Sequence, residues 1–317
     1  MALVAAGTLV ATAVIGAQGG AVRSSAGVQP EVFPGSLAQT ASTAAGVSLF
    51  RGLGSWVDIY EHWSFADPEH AVARMARHGV RTLYLETSNF AREVPIKWPG
   101  KEARFIRAAH AHGMQIVAWY LPGFLRPARD FHRVMTAIRF RTWDGQRFDG
   151  FALDIESPAV RRPAIRTRRL VDLSERIRTA VGPDYPLGAI IPTPLGMEQN
   201  PSYWPGFPYR QLRGRYQAFL PMTYFTWRVS GRAGAHRYTS ACIGIIRNKT
   251  GDPAVPIHVI GGISDESTVA EAQGFVRALR QRRVIGGSYY AFHGTTNAQW
   301  QVLQGITALP LWADSPG

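Results

Sequence analysis

From residue 54 onward, short apolar runs alternate with longer stretches whose apolar residues recur every three or four positions. The first pattern is typical of buried β-strands and the second of amphipathic α-helices. Strands are predicted at 55–60, 81–87, 115–122, 148–156, 186–193, 218–225, 257–263 and 286–293. The clearest helical stretches cover 68–79, 103–113, 167–182 and 268–282. The first three of these helices end in glycine, a common helix stop signal.

Eight strands that alternate with helices over about 260 residues are typical of a closed (β/α)8 barrel, the TIM-barrel fold. A doubly wound open sheet is the competing architecture. The even spacing of eight units favours closure, and no second domain is evident in the sequence. We therefore predict an α/β protein whose single barrel domain covers residues 47–317.

The N-terminal residues have a different composition. Residues 2–22 carry no charge, and residues 3–17 have about the length of the apolar core of a signal peptide. We expect a signal peptide or N-terminal hydrophobic segment over 1–22, then a flexible linker over 23–46. An uncleaved anchor is the alternative, but a run rich in Gly and Ala makes a poor membrane span, so no stable span is expected. The sequence predicts a secreted or cell-wall-associated protein.

The net charge is +13, and it comes from arginine because the chain has only three lysines, Lys97, Lys101 and Lys249. No basic run is interleaved with aromatic residues as in nucleic-acid-binding modules, so nucleic acid is not predicted as a partner. A basic surface fits a protein that works near an anionic cell-wall polymer. The chain has one cysteine, Cys242, which excludes an intrachain disulfide.

Residues 149–156 read DGFALDIE and place three acids inside an apolar run. Side chains two positions apart on a strand point the same way, so Asp154 and Glu156 face one side where the fourth strand ends. Clustered carboxyl groups raise one pKa and leave another group ionised, which acid–base cleavage of a glycosidic bond requires. The structural alternative is an acid that caps the next helix or pairs with a nearby arginine.

Other candidate residues lie where the remaining strands end, which is where barrel enzymes have their active sites. Asp58 and Glu86 follow this rule and are candidates for a second catalytic carboxylate, beside Asp154 and Glu156. Aromatic rings stack on sugar faces, although ordinary barrel packing is the alternative for each ring taken alone. The candidate substrate-binding residues are Asp149, Tyr60, Trp119, Tyr120, Tyr224, Trp227 and Tyr290.

Neither a metal site nor a cofactor is predicted. A catalytic metal needs several converging ligands, and the HExxH spacing is absent. No phosphate-binding glycine loop and no G-x-S-x-G nucleophile turn occurs. The aromatic loop at 200–209, NPSYWPGFPY, is predicted to be either a wall of a glycan cleft or a packed lid.

These motifs resemble those of the family 18 glycoside hydrolases, the chitinases and their relatives. DGFALDIE is similar to the family's fourth-strand motif DGxDxDxE, whose first, third and last acids match Asp149, Asp154 and Glu156. PMTY at 221–224 resembles the Met-x-Tyr element of the sixth strand, and GGSYYAF resembles the Gly-Gly opening of the last strand. The resemblance implies that Glu156 protonates the leaving oxygen, while Asp154 and Tyr224 bind a substrate acetamido group.

Two positions depart from the family pattern: Ala152 replaces the second Asp of the motif, and Phe225 replaces the acid that often follows the tyrosine. The departures favour a two-carboxylate mechanism, with Asp58 or Glu86 opposite Glu156. RGLGSWVDIY, NPSYWPGFPY and LPMTYFTWR also resemble a family of secreted actinobacterial barrel proteins known only as hydrolase-like.

The predicted function is a secreted glycoside hydrolase that cleaves a cell-wall polysaccharide or oligosaccharide, with Glu156 as general acid. The alternative is a non-catalytic, chitinase-like barrel that binds glycans.

Overall fold

A computed structural model describes residues 46–307 and 309. The expected signal peptide over 1–22 and all but the last residue of the linker over 23–46 lie outside these residues. The strands are β1 (Gly52–Val57), β2 (Thr82–Asn89), β3 (Gln115–Leu121), β4 (Gly150–Asp154), β5 (Leu187–Ile191), β6 (Ala218–Pro221), β7 (His258–Ile263) and β8 (Gly286–Tyr290).

Helices follow the strands along the chain. They are α1 (His62–Ala66), α2 (Pro68–Arg77), α3 (Pro99–Ala111), α4 (Pro127–Arg139), α5 (Pro163–Val181), α6 (Pro194–Gln199), α7 (Tyr209–Arg213), α8 (Gly231–Thr250), α9 (Val269–Gln281) and α10 (Asn297–Leu303). Within the described residues, none of these helices is both long enough and apolar enough to span a membrane.

The eight strands form one parallel sheet in the order β6-β5-β4-β3-β2-β1-β8-β7. Two bridges, Phe219 to Ile257 and Met222 to Ile260, join β6 to β7 and bring the edges of the sheet together. The predicted (β/α)8 barrel is therefore confirmed, and the doubly wound alternative is wrong.

Local sequence explains where the helices begin and end. Five helices, α2 to α6, begin with proline, whose missing N–H is not needed in a first turn. Gly79, Gly113 and Gly182 follow α2, α3 and α5 with φ of 77°, 67° and 80°, a conformation that glycine adopts without strain. The predicted glycine stops are confirmed at all three positions.

Alternating side chains build two apolar layers. One set packs inside the barrel and includes Trp56, Tyr84, Val117, Trp119, Ala152, Ile190, Leu220 and Ile260. The other set, which includes Leu53, Leu83, Leu85, Tyr120 and Leu153, packs between the strands and the helices. The interior is tightly filled, because a Cβ on Gly54 would lie 2.8 Å from the Tyr84 ring and 2.9 Å from the His258 ring.

A small polar network lies within this interior. His258 Nδ1 contacts the Phe50 carbonyl at 2.9 Å and therefore carries the proton, so Nε2 accepts from the Ser288 hydroxyl at 3.0 Å. The Trp56 indole donates to the same hydroxyl at 2.7 Å. Burial lowers the pKa of His258 to about 4, so the ring is neutral at pH 7 and the network is structural.

Candidate active site

The two-residue alternation brings four carboxyl groups to the C-terminal mouth of the barrel. Trp56, Tyr84 and Ala152 face the interior, and the acids two positions further along the chain continue those inward rows. They are Asp58 after β1, Glu86 on β2 and Asp154 on β4, with Glu156 two residues beyond. Three of these groups lie near Tyr224: burial raises the pKa of Tyr224 most, and the charges of Glu156, Asp154 and Asp58 raise it further.

Asp154 is the most enclosed of the four. Its side chain is 6% exposed, and its buried Oδ1 has no hydrogen-bond partner among the described residues. Burial, then the charge of Glu156 and that of Glu86, raise the pKa of Asp154 well above its usual value. Asp154 therefore keeps its proton to a higher pH than an exposed aspartate does, and it lies close to Glu156.

Glu156 lies just past the end of β4 and is partly exposed. Burial raises the pKa of its carboxyl group above the usual value. Its backbone carbonyl accepts a hydrogen bond from the hydroxyl of Tyr203, which comes from the aromatic loop at 200–209. A carboxyl group that keeps its proton to higher pH and remains accessible is suited to protonate a leaving oxygen.

Glu86 is 2% exposed, and both of its oxygens are already engaged. Oε2 accepts the backbone N–H of Ile59 at 3.0 Å, and Oε1 accepts from the Asn89 amide at 3.1 Å. Burial, with a smaller contribution from Asp58, raises the pKa of Glu86 to about 8 although these hydrogen bonds lower it. At pH 7 Glu86 is mostly protonated, so it is poorly suited to act as a nucleophile.

Asp58 has a different environment because it is less buried and accepts two short hydrogen bonds. The Tyr290 hydroxyl donates to Oδ2 at 2.6 Å, and the Tyr60 backbone N–H donates to Oδ1 at 2.8 Å. Donors of this kind fix the orientation of a carboxylate and stabilise its negative charge. Asp58 is therefore the best placed second carboxylate at the mouth.

Aromatic side chains lie at three depths around the mouth. Tyr224 and Tyr290 are half-buried, with ring centres 6.0 Å apart, and Trp119 lies deeper at 5% exposure with no partner for its Nε1 among the described residues. Tyr60 and Trp227 lie at the rim, exposed by 44% and 71%. These five rings are the predicted aromatic residues that the structure leaves near the mouth.

Two predicted substrate-binding residues do not reach the mouth. Tyr120 follows the inward-facing Trp119, so it points outward, where it is fully buried and donates to Asp130 Oδ1 at 2.7 Å. Asp149 precedes β4 at the opposite end of the barrel, about 17 Å along the strand from Asp154. Asp149 accepts the Ile116 N–H at 2.8 Å and lies 3.2 Å from His110 Nε2. The structure therefore does not bring either residue to the mouth, and both side chains contact other residues of the barrel instead.

Other polar residues at the mouth have no signal in the sequence pattern. The pairing of β2 with β3 is irregular between Glu86 and Ser88, so the simple alternation does not continue past Glu86. Asn89 turns to the mouth side, where its amide donates to Glu86 and to the Tyr60 hydroxyl, the latter at 2.9 Å. The loop after β2 also brings Lys97 close enough to Glu86 and Asp58 for their charges to raise its pKa, although burial lowers it more.

A pair formed by a buried acid and an exposed histidine lies beside these groups. Glu61, after β1, is buried and lies 3.1 Å from Nδ1 of His293, which follows β8. The Ser64 hydroxyl also donates to Glu61. Burial raises the pKa of Glu61, and the hydrogen bond to Glu61 raises the pKa of His293.

The aromatic loop at 200–209 packs against the barrel. Trp204 is buried against Phe124 and Phe207, and its indole donates to Thr167 at 2.8 Å. Trp204 is therefore packed, as the lid alternative predicts. Tyr203 of the same loop donates a hydrogen bond to the backbone carbonyl of Glu156.

A cavity of about 510 Å³ lies elsewhere, between α2 and α10. It is open to solvent and is lined by Arg74, Arg77, His78, Asn297, Gln301 and Gln304, so none of the mouth carboxyl groups contributes to it. We therefore take the mouth, where the carboxyl groups converge, and not this cavity as the candidate active site. Among residues 46–307, no group of three or more His, Cys, Asp or Glu side chains has the arrangement of a metal site.

No family model matches this chain, and no curated protein matches it in sequence. Solved structures do match. The endo-β-1,4-mannanase of Thermotoga petrophila has a TM-score of 0.63 at 11% identity, over 84% of this chain and 78% of that one. A chitinase of Chromobacterium violaceum has a TM-score of 0.58 at 11% identity, over 81% of this chain and 99% of that one. The spore cortex-lytic enzyme SleL of Bacillus cereus has a TM-score of 0.59 at 9% identity, over 81% of this chain and 74% of that one.

These likenesses concern the fold. The chain shares the TIM-barrel fold of these three enzymes, as the sequence predicted.

Proposed function

We propose that the protein is a glycoside hydrolase that cleaves a polysaccharide, with Glu156 as the general acid. The observation that carries the proposal is the convergence of Glu156, Asp154 and Asp58 around Tyr224 at the mouth of the barrel. A glycosidic bond is cleaved between two carboxyl groups of unlike protonation, one acidic and one ionised. The shared fold with a mannanase, a chitinase and a cortex-lytic enzyme supports the same class of reaction.

Glu156 takes the acid role for two reasons. Burial raises its pKa, so the carboxyl group keeps its proton to a higher pH than an exposed glutamate does. Asp154, two residues earlier, also has a raised pKa, because it is buried and lies near the charge of Glu156. In this account Asp154 tunes and supports Glu156.

Asp58 takes the role of the second carboxylate, as nucleophile or base. β1 and β4 are separated by two strands in the sheet order, which places Asp58 and Glu156 on different sides of the mouth. Glu86 has a positioning role, because it accepts the N–H of Ile59, the residue directly after Asp58. This contact fixes the turn that presents Asp58.

A substrate-assisted mechanism is the second candidate, and one observation favours it. The buried Oδ1 of Asp154 lacks a protein partner among the described residues, and its charge acts on Tyr224. A 2-acetamido group of the substrate would fill that gap if Asp154 and Tyr224 bound it together. In that case only 2-acetamido sugars are cleaved.

The compartment and the polymer are also proposals. The uncharged, apolar N-terminal residues support secretion, and the net charge of +13 supports work beside an anionic cell-wall polymer. We therefore propose a secreted or wall-associated enzyme that acts on a cell-wall polysaccharide.

The proposal is tested by a screen of full-length protein against mannan, chitin, peptidoglycan and acidic polysaccharides, followed by the release of reducing ends. Wild type is compared with Glu156→Gln and with Glu175→Gln, which changes an exposed glutamate on α5. We expect cleavage by wild type and Glu175→Gln, and binding without cleavage by Glu156→Gln. A glycan that wild type binds and never cleaves would instead support the non-catalytic, glycan-binding alternative.

A further inference from the structure

Two cations flank an exposed ring at the rim of the mouth. Arg92 and Lys97 come from the loop between β2 and α3, and Tyr60 comes from the loop after β1. The guanidinium carbon of Arg92 lies 4.9 Å from the centre of the Tyr60 ring, and Lys97 Nζ lies 5.5 Å from it. We call Arg92, Lys97 and Tyr60 the rim cluster.

The two cations of the rim cluster lack acidic partners. No ion pair among the described residues includes Arg92 or Lys97, although several pair other arginines on the surface. The buried Nε of Arg92 has no hydrogen-bond acceptor within the described residues. Lys97 Nζ donates to the Ile59 carbonyl, which is neutral. A buried donor without an acceptor, such as Nε of Arg92, lowers the stability of the fold unless a ligand or water accepts its hydrogen bond.

The carboxyl groups that face Lys97 do not neutralise the rim cluster. They are Glu86 and Asp58, and Arg92 is the other charged group that acts on Lys97. Glu86 holds its proton at pH 7, because burial raises its pKa to about 8. Asp58 already accepts from Tyr290 and from the Tyr60 backbone. One carboxylate therefore faces two cations.

We propose that the rim cluster is a subsite for an anionic substituent, a carboxylate or a phosphate, on the glycan that enters the mouth. The planar fork of Arg92 matches the oxygens of such a group, and Lys97 adds a second positive charge. The exposed ring of Tyr60 contacts the apolar face of the sugar that carries the anion. The inference rests on the proposed function for the nature of the ligand, and it assigns the substrate to the acidic polysaccharides.

Binding is tested in the Glu156→Gln background, so that hydrolysis is not needed for the readout. The probes are hexagalacturonate, a phosphate-bearing oligomannoside and neutral chitohexaose. We expect both anionic probes to bind more tightly than chitohexaose in low salt. Adding Arg92→Gln or Lys97→Gln should weaken only the anionic probes, by roughly tenfold to a hundredfold, the range for charge-assisted hydrogen bonds.

Arg92→Lys retains the charge and should keep part of the affinity. Arg277→Gln removes an exposed arginine from α9 and should change nothing. Equal binding of anionic and neutral probes, or unchanged binding in both Gln variants, would overturn the subsite. Anionic binding that depends on the rim cluster, without cleavage by wild type, keeps the subsite and ends the hydrolase proposal. If wild type cleaves only neutral glycans, the hydrolase proposal is kept and the anionic subsite is rejected. If none of the probes binds, both proposals are rejected.

Discussion

The hydroxyl of Tyr290 donates a 2.6 Å hydrogen bond to Oδ2 of Asp58, and so ties the end of the last strand to the turn after the first. The contact crosses the β1–β8 pairing of the barrel. It fixes the carboxylate of Asp58 at the mouth, on the side of the barrel to which Lys97 and Tyr60 also belong. The role that we propose for Asp58 depends on this bond.

Tyr290→Phe removes the hydroxyl and keeps the ring. If Asp58 is the second carboxylate, kcat should fall by roughly tenfold to a hundredfold, because a hydrogen bond to a charged group is lost. Steady-state kinetics on a cleaved glycan measures the effect. Tyr209→Phe is the matched control, since that buried hydroxyl has no partner among the described residues and lies on α7. Equal kcat in the two variants would remove the bond from the mechanism.

Asp58→Asn separates the two chemistries. In a two-carboxylate mechanism the substitution should lower kcat by about 10²-fold or more, and wild type should cleave sugars without an acetamido group. Substrate specificity and kcat are measured on the same set of oligosaccharides. If Asp58→Asn retains activity and only 2-acetamido sugars are cleaved, Asp154 and Tyr224 become the catalytic pair.

The buried acids should make stability fall as pH rises. The pKa of Glu86 is raised to about 8, so between about pH 4.5 and pH 8 the unfolded chain releases a proton that the folded protein retains. One such group lowers the free energy of unfolding by up to about 1.4 kcal/mol per pH unit in that window. Urea unfolding from pH 5 to pH 8 should therefore show a smaller loss of stability in Glu86→Gln than in wild type. An identical pH slope in the two proteins would contradict the raised pKa of Glu86, and Glu175→Gln serves as the surface control.

Tyr120→Phe tests the reassigned packing role. Removing a buried hydroxyl from Asp130 should destabilise the protein by about 1–3 kcal/mol, because a buried acceptor loses its partner. Substrate affinity should not change, since Tyr120 faces α4 and not the mouth. Urea unfolding and KM measured together would show this, and a raised KM at unchanged stability would restore Tyr120 to the binding site.

Alternation along the strands was enough to predict the barrel and its mouth. The strands are buried along almost their whole length, and the positions of Asp58, Glu86 and Asp154 follow from inward-facing neighbours two residues earlier. The same alternation predicts that Tyr120 points away from the barrel interior, because Tyr120 directly follows the inward-facing Trp119. The fourth-strand motif identifies Asp149 as a candidate, but the motif does not indicate that its first acid lies at the opposite end of the strand from Asp154.

The remaining mouth residues depend on tertiary structure. The pairing of β2 with β3 is irregular after Glu86, so the alternation of side chains along β2 does not predict the direction of the Asn89 side chain. Arg92, Lys97 and His293 come from loops whose path is set by packing against neighbouring loops, and no period in the sequence encodes that path. Tyr203 reaches Glu156 because the loop at 200–209 folds back onto the barrel.

The general-acid role of Glu156 is tested most directly by the turnover of Glu156→Gln on two substrates of the same sugar. One is an oligosaccharide, whose leaving oxygen must be protonated, and the other is a dinitrophenyl glycoside, whose leaving group departs without a proton. The account predicts a fall in kcat/KM, which reports the first bond cleavage, of about 10²–10⁴-fold on the oligosaccharide and a much smaller fall in kcat/KM on the dinitrophenyl glycoside. Unchanged turnover of the oligosaccharide, or equal losses on the two substrates, would contradict it.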